Sequence, residues 1–192
     1  MTTAKPRIVG VGGTTRVGST TEAALRHALA AAERHGCTTD IIAGTELPIE
    51  PYDPARGERS PAAARLVAAL READGVIVAS PGYHGSIAGL VKNALDYTED
   101  MRADPRPYLD GRAVGAIVTA DGPQALGSTL AALRSVTHAL RAWPTPYAVL
   151  INARDRPFDA DGRPTDPAVR EAIERMATQV VEFALMRRAW IG

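Results

Sequence analysis

The sequence lacks several things that would each have set its class. Cys37 is the one cysteine among 192 residues. No disulfide can form within the chain, and a reducing compartment fits. Placed between a helical and a strand-like segment, Cys37 reads as a small packing residue. Charge of either sign is not in excess: 22 basic residues face 22 acidic ones. A general nucleic-acid binder usually carries a basic surplus, so that class is demoted. No run approaches the roughly 18–20 apolar residues of a membrane span, and the opening MTTAKP has no apolar core of a secretory leader. No His/Cys cluster has metal-ligand spacing, and the stretch Asp159-Ala160-Asp161-Gly162 fails as a calcium loop. Pro157 stands at its first ligand position and Ala168 at its twelfth. There is no G-x-S-x-G and so no support for hydrolase chemistry. A cytoplasmic protein without metal, nucleic-acid partner or membrane anchor is the expectation.

What is present is a regular alternation. Short apolar runs at Arg7–Gly12, Thr38–Ala43, Gly75–Ser80, Ala113–Ala120 and Tyr147–Asn152 read as strands. Helical patterns lie between and after them, at Ser19–His35, Pro61–Ala73, Ile87–Tyr97, Gly127–Ala142 and Pro167–Ala189. Near-continuous apolar strands separated by helices predict a parallel sheet covered on both faces. The length suits one domain over residues 1–192. Gly44–Ser60 and Thr98–Gly111 read as irregular connections. Met101, Pro105, Pro107, Tyr108 and Leu109 in the second offer apolar surface amid charges, for self-packing or for a partner copy.

In such sheets ligands bind beyond the carboxyl ends of the strands. Three unusual segments fall there: GGTTRVGSTT, SPGYHGS and TADGPQALG. The first nearly spells a nucleotide-triphosphate loop from Gly13 to Thr20, but Ser19 stands where that loop needs lysine. It fails the dinucleotide fingerprint too, because Thr15 occupies the third glycine position. What remains is Thr14, Thr15, Arg16, Ser19 and Thr20 before a helix, which suits a single phosphate monoester. Ser19 or Thr20 is equally suited to cap the helix. In the second segment, glycines would let the backbone approach a flat ligand, with Tyr83 offering a ring face. His84 is open to an acid–base reading or to a simple hydrogen-bonding one. Asp121 in the third could face a substrate hydroxyl. Lys92 and Asp96 are four apart, an ordinary surface pair.

The stretch SPGYHGSIAGLVKNALDY resembles the signature of the NAD(P)H-dependent FMN reductase family, P-x-Y-x-x-S-x-x-G-x-x-K-N-A-x-D. Pro81, Tyr83, Ser86, Gly89, Lys92, Asn93, Ala94 and Asp96 hold its places. The first turn resembles the family's G-S-x-R-x-x-S through Gly13, Arg16 and Ser19. The resemblance implies an α/β, flavodoxin-like three-layer sandwich, its five-stranded parallel sheet ordered 2-1-3-4-5. It also implies FMN at the strand ends, with NADPH or NADH as hydride donor, in a homodimer or tetramer. By the same resemblance Thr14, Arg16, Ser19 and Thr20 hold the phosphate. Pro81, Gly82, Tyr83 and His84 line the ribityl chain and ring with Ser86 nearby, and Asp121 and Gly122 complete the set. No side chain is assigned as catalytic, because the flavin carries the chemistry. Reduced FMN would serve a flavin-dependent monooxygenase, or electrons would pass to a quinone, azo or nitro acceptor. A non-catalytic flavodoxin-like carrier is the rival from another class. Such carriers are strongly acidic, and the even charge balance argues against one.

Overall fold

Apolar side chains on both faces of the central strands dictate the architecture. In β1 (Arg7–Gly12), β3 (Gly75–Tyr83) and β5 (Ala113–Ala120), Val9, Val11, Val76, Ile77, Val78, Ile117 and Val118 are all fully buried. Two-sided burial requires a covering layer on each face. The computed structural model describes residues 5–191. Residues 1–4, which carry most of the MTTAKP reading, and Gly192 lie outside the described residues.

The strand order matches the 2-1-3-4-5 expectation by position, with one difference. β2 (Thr38–Ala43) pairs parallel with β1, β1 with β3, and β3 with β5. The fifth position is split between β6 (Trp143–Pro144) and β7 (Val149–Asn152), both parallel to β5. Pro144 and Pro146 have no N–H to give to a ladder, so a single strand cannot run through. One face is covered by α1 (Thr20–Arg34) and α5 (Pro167–Ile191), whose Leu25, Ala28, Met176 and Val180 share a core with Ile8 and Ile77. The other is covered by α2 (Pro61–Glu72), α3 (Gly89–Asp96) and α4 (Pro123–Ala139), with Leu66, Val91 and Leu133 packed around Val9 and Val78.

Several boundaries move for local reasons. α4 starts at Pro123 rather than Gly127, since proline's fixed φ suits a first helical turn. β3 runs on to Tyr83 and folds back on β4 (Ser86–Ile87) as an antiparallel hairpin, which delays α3 to Gly89. The connection after α3 offers less apolar surface than expected: Pro105 is exposed, and Pro107 and Tyr108 are half-buried. Met101 and Leu109 are buried in the α2–α4 core of their own chain. Arg112 fastens this segment. It is buried, and its guanidinium donates to the carbonyls of Arg71, Ala73, Tyr108 and Asp110. Burial pulls its pKa down to about 10.

The loop after β2 is held by Asn93 of the K-N-A stretch. Its amide nitrogen donates to the carbonyls of Pro48 (3.1 Å) and Glu50 (2.9 Å), and its Oδ1 accepts the Tyr52 N–H at 2.8 Å. Tyr52 then meets Tyr97 edge-on, with Arg59 over both rings and bidentate to Asp100. Asn93 is therefore accounted for by loop anchoring. Lys92 and Asp96 form the exposed pair their spacing suggests.

Candidate functional site at the carboxyl edge of the sheet

The first helix opens directly beyond β1. Ser19, 2 % exposed, is its N-cap: Oγ accepts the Glu22 N–H at 3.2 Å, and the Ser19 carbonyl takes the Ala23 N–H. A helix start leaves four N–H groups without helical partners. Here the Glu22 N–H is taken by the Ser19 hydroxyl, and those of Thr20 and Thr21 are left as open donors among the described residues. The preceding turn is stiffened by Thr14, whose Oγ1 accepts the Arg16 N–H at 3.1 Å. That leaves the Arg16 side chain exposed and without an ion-pair partner among the described residues.

A cleft of about 470 Å³ opens above this turn. Thr14, Arg16, Ser19 and Thr20 line it from the first loop, Pro81, Gly82 and Tyr83 from the end of β3, and Asp121 from the end of β5. His84 and Gly122 line an adjoining cleft of about 610 Å³, which shares Asp121 with the first. Ser86 lines neither; it sits exposed in β4, opposite Tyr83. The structure thus gathers eight of the eleven expected positions at one cleft and two more beside it.

The second loop is a two-residue hairpin. Between the paired Tyr83 and Ser86, His84 (φ 51°) and Gly85 (φ 83°) both have left-handed backbones, the requirement of a type I′ turn. Asparagine before glycine is the favoured pair at the two central positions of such a turn. The base of the hairpin is pinned by buried Ser80, whose Oγ accepts the Ala88 N–H at 3.0 Å and donates to the Pro81 carbonyl at 2.9 Å. Gly82 is fixed by packing as well as by the cleft. A Cβ there would come within 2.7 Å of Thr129 Oγ1 on α4.

Five lining residues were not among the assigned ones: Thr15, Thr21, Thr119, Ala120 and Ala153. Thr21 and Thr119 are buried and hydrogen-bonded to each other, Oγ1 to Oγ1, at 2.6 Å. The one signal for Thr119 is a hydroxyl near the end of the otherwise apolar AVGAIVTA. Asp121 and Arg154 lie 3.9 Å apart, both exposed, a spacing that contributes little to stability. Hydroxyls, open N–H groups and one arginine at a helix N-terminus can hold a dianion. The bare Gly82 backbone beside Tyr83 provides a surface for a flat ring.

Comparison with known proteins identifies the family. Residues 6–156 match the family model described as NADPH-dependent FMN reductase. An NAD(P)H-dependent FMN reductase of Pseudomonas aeruginosa is 29% identical over 175 residues, 88% of this chain and 90% of that protein. A protein of Oryza sativa subsp. japonica named "Probable NADPH:quinone oxidoreductase 2" is 31% identical over 185 residues, 93% of this chain and 89% of its own length. Among solved structures, the flavoenzyme NAD(P)H:(acceptor) oxidoreductase of Paracoccus denitrificans superposes with a TM-score of 0.76 at 19% identity, covering 95% of this chain and 98% of that one. The flavodoxin-like architecture is shared, and the chain belongs to the NADPH-dependent FMN reductase family.

Proposed function

We propose that the protein is an NAD(P)H-dependent FMN reductase whose flavin lies in the cleft between the α1 turn and the β3 hairpin. The observation that carries this reading is the α1 N-terminus. Open N–H donors at Thr20 and Thr21, the hydroxyls of Thr14, Ser19 and Thr20, and the unpaired Arg16 all belong to one cleft. This donor set fits the phosphate of FMN. The Ser19 hydroxyl, though it accepts a capping bond, still has its own proton to donate.

When bound, FMN supplies the redox chemistry, accepting a hydride from the nicotinamide and passing the electrons on. The protein's share is binding and positioning. Pro81, Gly82 and Tyr83 support the ring side of the cleft, and Asp121 and Gly122 flank the ribityl side. His84, at the tip of the hairpin, contacts the exposed edge. Hydride transfer between stacked rings needs no protein acid, which accords with a cleft lined mainly by hydroxyls and backbone.

We place the protein in the cytoplasm as a homodimer or tetramer, with a flavin-dependent monooxygenase or a small oxidised acceptor downstream. Among the described residues no helix is long and apolar enough to cross a membrane. Exposed Trp143, packed on Phe183, together with exposed Met186 and Trp190 offers an apolar stripe for self-association. The similarity to the rice protein favours a quinone as acceptor over a free-standing carrier role. Steady-state oxidation of NADPH and NADH with added FMN tests the reading. Turnover that depends on FMN is expected. Flavin binding without nicotinamide oxidation would leave an electron carrier instead.

A further inference from the structure

At the opposite edge of the sheet lies a cleft of about 380 Å³ that the reading above does not use. Arg71, Asp104, Pro105, Arg106 and Arg112 line it. Arg112 directly precedes β5 and Asp121 directly follows it, so the eight residues of that strand separate this cleft from the one proposed for the flavin. At the rise of a strand that is roughly 25–30 Å. Three arginines against one carboxylate form an uneven lining in a chain whose charges balance. We propose that this cleft is an oxyanion site, which takes inorganic phosphate or the phosphate of a small phosphomonoester between Arg106 and Arg112. The inference stands apart from the flavin reading.

The one lining carboxylate is already engaged. Asp104 is paired with Arg71 Nε at 2.7 Å, and Arg71 Nη2 donates to the Asp100 carbonyl. Arg112 is 1 % exposed and has no carboxylate within ion-pair distance among the described residues. Four of its five N–H groups go to carbonyls, one each from Nε and Nη2 and two from Nη1. One Nη2 N–H is left over. A buried charge without a counter-ion is costly. Burial, and after it the like charge of Arg106, pulls the Arg112 pKa down to about 10, so the group stays charged at neutral pH. Besides Asp104, the carboxylates that act on it are Asp74 and Asp110. Asp74 is bonded to Arg188 and to the Arg7 N–H, and Asp110 is exposed and outside the lining. Arg106 is half-buried, and its guanidinium has no partner among the described residues. Pro105 and Pro107 fix the chain on both sides of it, which limits the entropy lost when it closes on a ligand. Two guanidiniums without counter-ions on one cleft repel each other until an anion lies between them. Guanidinium forks hold phosphate by charge-assisted hydrogen bonds. The volume lies within the range of small-ligand sites and leaves room for a short organic tail.

Calorimetric titration of the FMN-saturated protein with inorganic phosphate and with glycerol phosphate, at constant ionic strength, tests the inference. Saturation keeps the α1 turn occupied, and matched salt removes general screening. One site per chain is expected, with a dissociation constant of about 1 mM or tighter. Tighter binding of glycerol phosphate identifies a phosphomonoester as the ligand, and tighter binding of phosphate the free anion. Arg106→Ala is expected to weaken both roughly tenfold or more, with Arg106→Lys recovering part of the loss. Arg106 has no partner to lose among the described residues, so the melting temperature of Arg106→Ala without phosphate should match the parent's. No saturable binding up to about 20 mM, or an affinity unchanged in Arg106→Ala, would overturn the inference. So would phosphate binding that needs Arg16 and not Arg106. If FMN fails to bind, the flavin reading falls, and the Arg106 comparison still decides this one.

Discussion

Thr21 Oγ1 and Thr119 Oγ1 lie 2.6 Å apart and tie the first turn of α1 to the end of β5, at the wall of the cleft proposed for the flavin. Both residues are buried, so each hydroxyl depends on the other. Valine at either position strands its partner. Each single variant is expected to lose about 1–3 kcal/mol, the cost of an unpaired buried hydroxyl. The double variant, with both hydroxyls gone, should recover most of that loss. Denaturant melts of the four proteins measure the coupling. Single losses that merely add in the double variant would show that the two do not act as a unit.

Thr129 presents the opposite case. It is fully buried, and its Oγ1 has no partner among the described residues. Thr129→Val keeps the shape and removes the desolvated oxygen. Its melting temperature should match or exceed that of the parent, a gain of up to ~1 kcal/mol. A clear loss of stability would mean that the hydroxyl is bonded after all.

The hairpin tip makes a third expectation. His84 holds φ 51° at the first central position of a type I′ turn, where asparagine before glycine is favoured. His84→Asn should therefore keep the hairpin and most of the FMN-dependent turnover, with equal or slightly higher thermal stability. A several-hundredfold fall in turnover with FMN still bound would make His84 a proton donor.

Stability should also respond to pH through His27. Burial lowers its pKa, while the Glu174 carboxylate, 3.5 Å away, pulls in the other direction without prevailing. The unfolded chain takes up this proton near pH ~6.5 and the folded chain only at lower pH. Between those two values the unfolded state binds more protons, so stability falls as pH falls. Melting temperatures across that window should drop on acidification, and less steeply in His27→Gln. An identical slope in the variant would place the effect elsewhere.

The parts of the site that were legible in the sequence were those where residue type contradicts its surroundings. Thr14, Arg16 and Thr20 stand out between an apolar strand and an alanine-rich helix. So do the glycines of SPGYHGS after a fully apolar run. The alternation of elements predicted a parallel sheet covered on both faces, and the strand order came from the resemblance alone. Long-range partnerships were not legible. Thr119 shows only as one hydroxyl in a strand until α1 brings Thr21 against it. Met101 and Leu109 look like surface for a partner because nothing local says that the α2–α4 core receives them. Arg112 reads as one charge among many until four carbonyls from separate segments surround it. The split fifth strand was signalled by Pro144 and Pro146, whose missing N–H groups outweigh the apolar pattern around them.

The central claim is that the α1 turn holds the phosphate of FMN through Arg16. Titrating the protein and Arg16→Ala with FMN and with riboflavin, which lacks the phosphate, tests it most directly. Losing one charge-assisted hydrogen bond costs on the order of 1.5–3 kcal/mol, or roughly ten- to a hundredfold in affinity. FMN is expected to bind the parent far more tightly than riboflavin does. Arg16→Ala should weaken FMN by that factor and leave riboflavin unchanged. Equal affinity of the parent for both flavins, or an FMN dissociation constant untouched by Arg16→Ala, would contradict the account.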